Sequence, residues 1–207
     1  TKTLYCTNPK CQAKHVKSFT LFVSRDAMNI EGLSEATLEK FIINGYIKDL
    51  TDLFHLDRYA EEIKNMDGFG EKSYENLQNS IKTARTTTLP RLVYSLGIPN
   101  IGIANAKMIC RAFDNDPEKV LNATEEELDE ISGVGGVIAK AYVDDFADEE
   151  HRDVIRRLLA EVDIPKQEEN KDRQKLAGIN VVSPGTGQSR ANSVAGKAKK
   201  AKRGGKE

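Results

Sequence analysis

The sequence predicts a mainly α-helical fold built from repeated pairs of helices, and three observations support this. Signals that start and stop helices recur between Ser34 and about Ile164. One short turn motif appears four times at nearly equal spacing. The composition, 39% hydrophobic and 30% charged, is typical of a globular chain. No apolar run approaches the roughly 18 residues that a membrane-spanning helix needs, so we expect no membrane partner.

The helix signals begin at Ser34, a good N-cap residue directly before Glu35-Ala36-Thr37-Leu38. Gly45 follows Asn44 as a stop signal. Further along, Thr124 and Glu127 have the spacing of a capping box, in which each side chain bonds the other residue's amide. These residues predict two helix starts and one helix end.

Two prolines and one apolar face predict the remaining helices. Pro90 and Pro117 suit early helical positions, where proline costs no hydrogen bond, and the helix after Pro117 should end near Asn122. A last helix is predicted from Asp148 to Val162. Its apolar face consists of Val154, Ile155, Leu158, Leu159 and Val162. Residues 1–20 show no clear periodicity.

The repeated turn has an apolar residue between two small or turn-forming ones. We name its copies hairpin 1 (31–37), hairpin 2 (67–73), hairpin 3 (99–106) and hairpin 4 (132–139). Their second positions are residues 32, 68, 100 and 133, separated by 36, 32 and 33 residues. A helical pattern precedes and follows each core, so each copy is predicted to be a helix, a tight turn and a second helix, known as a helix-hairpin-helix unit.

These turns have the chemistry of a phosphate site. Glycine permits positive φ and close approach, and the amides beyond the turn lie at a helix N-terminus, where an anion is favoured. We therefore predict that the turns bind the DNA backbone, helped by the lysines that follow three of them. The predicted DNA-binding residues are Gly32, Ser34, Gly68, Gly70, Lys72, Asn100, Gly102, Lys107, Gly133, Gly135 and Lys140.

Two hairpins depart from the glycine pattern. Ser34 replaces the second glycine of hairpin 1, which makes that copy the least regular. Asn100 replaces the first glycine of hairpin 3, and asparagine tolerates positive φ. Either turn is therefore open to a more structural role.

The charge distribution also favours local phosphate sites. Residues 165–207 contain 11 Lys and Arg against 4 Asp and Glu, whereas the preceding 164 residues contain 20 against 28. A body with net negative charge cannot bind DNA through a broad positive surface. Local binding by backbone amides needs no net positive charge, and the basic tail is a separate feature.

The cysteines suggest half of a zinc site. Cys6 and Cys11 form a C-x4-C pair with Asn-Pro between them, and structural zinc needs four ligands. Cys110 is expected to be a core residue, and His15 is either a third ligand or an ordinary surface histidine. Three cysteines argue against a disulfide framework and favour a reducing, cytoplasmic location.

The motifs together resemble the C-terminal region of bacterial NAD-dependent DNA ligases. The string Phe22–Leu33 after the cysteine pair is similar to the zinc-finger exit and first hairpin of that family. Gly68–Ser73 and Leu96–Gly102 are similar to its second and third hairpins, and Lys175–Gly178 resembles the entry to its terminal BRCT domain.

This resemblance implies a protein that seals nicks in duplex DNA during replication and repair, using NAD and Mg²⁺. In the family, AMP passes from NAD to a lysine in a Lys-x-Asp-Gly motif and then to the DNA 5′-phosphate. The present sequence contains no such motif, so we expect this chain to lack the adenylation site and to be catalytically silent. Its implied partners are nicked duplex DNA and the catalytic domains of the same polypeptide.

The expected organisation places five segments along the chain. They are a partial zinc finger (1–24), a helix-hairpin-helix domain with four hairpins (25–164), a polar linker (165–175), a truncated BRCT start (176–182) and a disordered basic tail (183–207). Because the first residue is Thr1 rather than Met, we expect an internal piece of a longer protein. Two alternatives stay open: a stand-alone, non-enzymatic DNA-binding protein of repair or recombination, and a helical solenoid whose turns bind protein.

Overall fold

The structure is a computed structural model that describes residues 12–165, and this part of the chain is almost entirely helical. It contains ten α-helices and one 3₁₀ helix. The α-helices are α1 (Gln12–Val23), α2 (Glu35–Ile43), α3 (Ala60–Lys64), α4 (Glu71–Ala84), α5 (Leu89–Ser95), α6 (Ile103–Ala112), α7 (Pro117–Leu121), α8 (Glu125–Asp129), α9 (Gly136–Ala147) and α10 (Glu149–Glu161). The predicted mainly α-helical class is confirmed. Within the described range the only β-type pairing is an isolated bridge between Thr86 and Asp163.

The predicted helix boundaries are confirmed where the sequence carried a cap. The Ser34 hydroxyl accepts a hydrogen bond from the Thr37 amide, as an N-cap should. Gly45 has φ +73° directly after α2, and its amide donates to the carbonyl of Ile42. Thr124 forms both bonds of its capping box before α8. Two hydroxyl side chains and one glycine therefore fix these boundaries locally.

The later helices also follow the sequence signals. Pro90 lies in the first turn of α5, and Pro117 begins α7, whose C-cap is Asn122. The final helix runs between the N-cap Asp148 and the C-cap Val162. The Asp148 carboxylate accepts hydrogen bonds from the amides of the first turn of α10.

Helix α1 is where the structure differs most from the expectation. The sequence up to residue 20 suggested no periodic element, yet residues 12–23 form a three-turn helix. Its Phe19 and Phe22 are fully buried and belong to the same hydrophobic core as the hairpins. Helix α1 is therefore the first helix of hairpin 1. Its two aromatic side chains bury enough apolar surface to hold this short helix against the core.

The connection between hairpins 1 and 2 is a 3₁₀ helix, Leu50–Tyr59, which the sequence did not predict. Asp49 caps it through a reciprocal capping box with Asp52. The backbone leaves helical geometry at His55, with φ −122°. Leu53, Leu56 and their buried neighbours nevertheless reach the core, so the segment is held by burial and by its acidic cap.

The last helix returns to this connection through ion pairs. Arg157 of α10 donates to Asp49 at 2.8 Å. One turn later, at the C-terminal end of α10, Glu161 accepts from Arg85 at 2.6 Å and lies 2.8 Å from the His55 ring. These contacts join residues more than 70 positions apart, so they fix the path of the chain rather than any one helix.

Several predicted features lie outside the described residues. These are the cysteine pair Cys6 and Cys11, the polar linker from 166 onward, the truncated BRCT start and the basic tail. Among the described helices, none is both long enough and apolar enough to cross a membrane.

Candidate nucleic-acid interface

All four hairpins share one backbone conformation at their second position. The φ angles are +90° at Gly32, +87° at Gly68, +65° at Asn100 and +92° at Gly133. This left-handed region suits glycine and is tolerated by asparagine, which explains why Asn100 replaces glycine without changing the turn. The repeat read from the sequence is therefore a structural repeat.

The residue two positions later is the N-cap of the second helix in every copy. Ser34, Gly70, Gly102 and Gly135 all have extended backbones, with ψ between 162° and 177°. The helices that follow are α2, α4, α6 and α9, and each has at least nine residues. Each hairpin thus presents the amide end of a stable helix at its tip.

The apolar residue at the centre of each turn anchors it to the core. Ile101 and Val134 are buried, and Leu33 and Phe69 are partly buried against the same core. In hairpins 2, 3 and 4 the amide of this residue also closes the turn by donating to the carbonyl three positions earlier, at 2.9 to 3.1 Å. The tips are consequently held in place before any ligand arrives.

Hairpin 1 differs from the others at its tip. Its cap hydroxyl, Ser34, already accepts a hydrogen bond from the first turn of α2. Its Glu31 amide donates to the Ser80 hydroxyl of α4 at 2.7 Å. In the other three hairpins no side chain of the described residues caps the helix. The first-turn amides there remain available to an external acceptor.

Neither backbone strain nor lack of space requires glycine at the caps. Gly70, Gly102 and Gly135 have negative φ, and a Cβ added to any of them would meet nothing within 4 Å. The fold would therefore accept a side chain at these positions. A ligand that must approach the backbone closely would be obstructed by such a side chain. Glycine at these caps is therefore the residue expected of a phosphate-binding tip.

The acidic residues at the tips are distributed unequally. Helices α2 and α4 begin with Glu35 and Glu71, whereas α6 and α9 have no acidic residue in their first turn. A carboxylate at a helix N-terminus satisfies the same dipole that would attract a phosphate. Hairpins 3 and 4 are therefore electrostatically better suited to an anion than hairpins 1 and 2.

The three predicted lysines are all exposed but differ in their partners. Lys140 lies 3.3 Å from Asp144 one turn along α9. Lys72 and Lys107 have no carboxylate partner among the residues described. Sequence reasoning missed Lys40, whose ammonium donates to the Asp67 carbonyl at the base of hairpin 2 at 3.4 Å. Only tertiary packing brings that α2 residue to hairpin 2.

Among the described residues no group of three or more histidine, cysteine, aspartate or glutamate side chains could hold a metal ion. Cys110 is fully buried, as predicted, and burial raises the pKa of its thiol to about 12. The His15 ring bonds the Lys48 carbonyl at 3.0 Å through Nε2 and packs edge-on against Phe19.

Comparison with known proteins agrees with this geometry. Residues 91–155, which include hairpins 3 and 4, match the model of the helix-hairpin-helix motif. The chain is 53% identical over 185 residues to a DNA ligase of Lachnoclostridium phytofermentans and 49% identical over 185 residues to one of Ruminiclostridium cellulolyticum. Each match covers 89% of this chain and 28% of the relative, so the chain spans about a quarter of the length of these proteins. A DNA ligase of Petrotoga mobilis is 36% identical over 87% of the chain and 27% of its own length.

Proposed function

We propose that this chain, which is homologous to one segment of bacterial DNA ligases, is the part of an NAD-dependent DNA ligase that grips duplex DNA around a nick. The hairpin tips bind the sugar-phosphate backbone, and the catalytic domains of the same polypeptide close the nick. The residues that act in this way are those predicted from the repeat, with Gly70, Gly102 and Gly135 at the positions of closest approach.

The observation that carries this proposal is the set of bare glycine caps. Three long helices present uncapped amides, and the fold itself does not require glycine at any of the three caps. Four turns with one conformation suit a ligand whose charged groups repeat along its length, as DNA phosphates do. Binding by amides also suits a body whose net charge is negative.

The chemistry belongs to the rest of the enzyme. In a ligase of this class NAD supplies the AMP and Mg²⁺ assists its transfer, and the acceptor is a lysine in a Lys-x-Asp-Gly motif that this sequence lacks. We therefore assign this chain a positioning role and no catalytic residue. Cys6 and Cys11 are proposed to supply two of the four thiolates of a structural zinc site.

Titration of labelled duplexes by fluorescence anisotropy tests DNA binding. We expect the chain to bind nicked and intact duplexes of unrelated sequence with similar affinity, since phosphate contacts carry no base information. The logarithm of the binding constant should fall linearly with the logarithm of the salt concentration, at about −0.9 per phosphate neutralised. Failure to bind any duplex would reject the proposal and favour a protein-binding solenoid.

Gly102→Val and Gly135→Val test the tips themselves. Each adds a side chain in open space, so circular dichroism should show the helices retained while affinity falls for every duplex. Loss of affinity for only some sequences would contradict a phosphate mechanism. Ala160→Val is the control, because it also adds a branched side chain at an exposed position, but on α10 and outside the four hairpins.

Segment replacement tests the link to ligation. The corresponding segment of the Lachnoclostridium phytofermentans DNA ligase would be exchanged for this chain, and nick sealing should be retained. The isolated chain should not become adenylated when incubated with NAD and Mg²⁺. Adenylation of the isolated chain would show that the assignment of a purely positioning role is wrong.

A further inference from the structure

Within the net-negative body of the chain, residues 1–164, the stretch around α5 and α6 contains no acidic residue. Between Asn76 and Phe113 there are five Lys and Arg residues and no Asp or Glu. The stretch covers most of α4, all of α5 and α6, and the turn of hairpin 3. Its positive charges therefore have no carboxylate within the stretch, and Asp114, three positions after Arg111, pairs with Lys119 instead.

Two of the five cations are used to hold the fold together. Arg85 bonds the Glu161 carboxylate and the Phe54 carbonyl. Arg91 donates to the carbonyls of Ala27 and Arg25, at 2.7 and 2.6 Å. The three others, Lys82, Lys107 and Arg111, are exposed and have no carboxylate partner among the described residues.

Two of these three lie next to each other beside hairpin 4. Lys107 and Arg111 are four positions apart on α6, so they share one face of that helix. They border a shallow groove of about 310 Å³ that runs between α6 and the turn of hairpin 4. Its lining is two cations, one hydroxyl and an apolar floor, with no carboxylate: Lys107, Met108, Arg111, Ala112, Ile131 and Ser132.

We propose that Arg111, together with Lys107, binds a DNA phosphate in the groove between α6 and the turn of hairpin 4. This inference rests on the proposed function and extends it by a contact that no glycine motif signals. Arg111 is the central residue, because a guanidinium can bind a phosphate with two parallel hydrogen bonds.

The position of the groove favours a nucleic-acid backbone as its occupant. Ser132 directly precedes Gly133, the left-handed residue of hairpin 4, so the groove opens beside a proposed phosphate site. The apolar floor is compatible with the sugars that separate successive phosphates. A strand bound at both tips would thus carry a phosphate past two cations that have no carboxylate partner in the described part of the chain.

The test measures the salt dependence of duplex binding by the full chain. Arg111→Gln should lower the affinity at least about tenfold at low salt, as expected for the loss of charge-assisted hydrogen bonds. It should also make the salt slope shallower by about 0.9, the change expected when one phosphate is no longer neutralised. Arg111→Lys should keep the salt slope of the original chain, because the charge is retained.

Arg156→Gln is the matched control. Arg156 is also an exposed arginine without a carboxylate partner among the described residues, but it lies on α10. The control should keep the original salt slope, and circular dichroism should show equal helix content in all variants. Equal effects of the Arg111 and Arg156 substitutions would mean general attraction and overturn the inference.

The result for the glycine caps separates this inference from the proposed function. If Gly102→Val weakens binding while Arg111→Gln leaves affinity and slope unchanged, the groove contact is wrong and the hairpin mechanism stands. If the original chain binds no duplex, both are wrong.

Discussion

Substitution of the two glycines of hairpin 2 separates the conformational role of the turn from its proposed binding role. Gly68 and Gly70 are two residues apart, and neither would place an added Cβ within 4 Å of another atom. They differ in backbone conformation, with φ +87° at Gly68 and −158° at Gly70. Alanine at each position therefore tests backbone geometry without a steric clash.

The expected effects on stability follow from these angles. Gly68→Ala forces an L-residue into the left-handed region, which costs roughly 1–2 kcal/mol of unfolding free energy. Gly70→Ala reduces the entropy of the unfolded chain and loses a favourable N-cap residue, and these effects roughly cancel. We expect the unfolding free energy of Gly70→Ala to stay within about 0.5 kcal/mol of the original value.

Urea unfolding followed by circular dichroism measures these differences, since the chain has no tryptophan to report by fluorescence. In a thermal melt, the Gly68 substitution should lower Tm by about 2–4 °C for each kcal/mol. Binding to duplex DNA should depend on position in the opposite way, with a larger loss of affinity for Gly70→Ala than for Gly68→Ala. Gly70→Ala should weaken binding roughly fivefold, equivalent to about 1 kcal/mol for one obstructed hydrogen bond.

Two results would refute this reasoning. Equal losses of stability at the two positions would mean that φ does not decide the difference. Unchanged DNA affinity in the folded Gly70→Ala variant would mean that the bare cap is not a site of close approach. Ser34→Ala in hairpin 1 gives a useful contrast, since removal of its cap bond should cost about 1 kcal/mol of stability.

Two further predictions concern the core and the closing ion pairs. Tyr142→Phe should lower the unfolding free energy by about 1 kcal/mol in urea, because the buried hydroxyl donates to the Val120 carbonyl at 2.7 Å; an unchanged midpoint would argue against that bond. Burial raises the pKa of Glu161, but hydrogen bonds from Arg85 and His55 outweigh it and lower the pKa below the ordinary 4.5. The stabilisation is therefore complete above pH 4.5 and is lost as pH falls through the lowered pKa, so Glu161→Gln should flatten the acid-side fall in Tm; an equally steep fall in the variant would contradict this.

The fold was predictable wherever a local residue imposes a local conformation. Ser34, Gly45 and Thr124 each act through atoms within four positions, and each was placed correctly. The segment Leu50–Tyr59 was not predicted as a 3₁₀ helix, because its cap and its kink interrupt the 3.6-residue period by which helices are recognised in a sequence. Helix α1 was missed because its ordering depends on a core assembled from distant segments.

The candidate site shows the same division. The repeat itself identified all four tips, because one turn geometry selects residues that tolerate positive φ at its second position. Two differences between the tips depend on tertiary packing: Ser80 meets hairpin 1, and Lys40 meets hairpin 2. A contact between two residues that lie 27 or 49 positions apart produces no periodic pattern in the sequence.

By itself the sequence determined four helix-hairpin-helix turns and their left-handed second residues, because φ is a property of one residue and its neighbours. It also determined the acid-free stretch from Asn76 to Phe113. Tertiary structure alone decided that the cap glycines face open space and that Lys107 and Arg111 border hairpin 4. The reason is that exposure, charge pairing and grooves depend on which surfaces meet, and a packed core settles that globally.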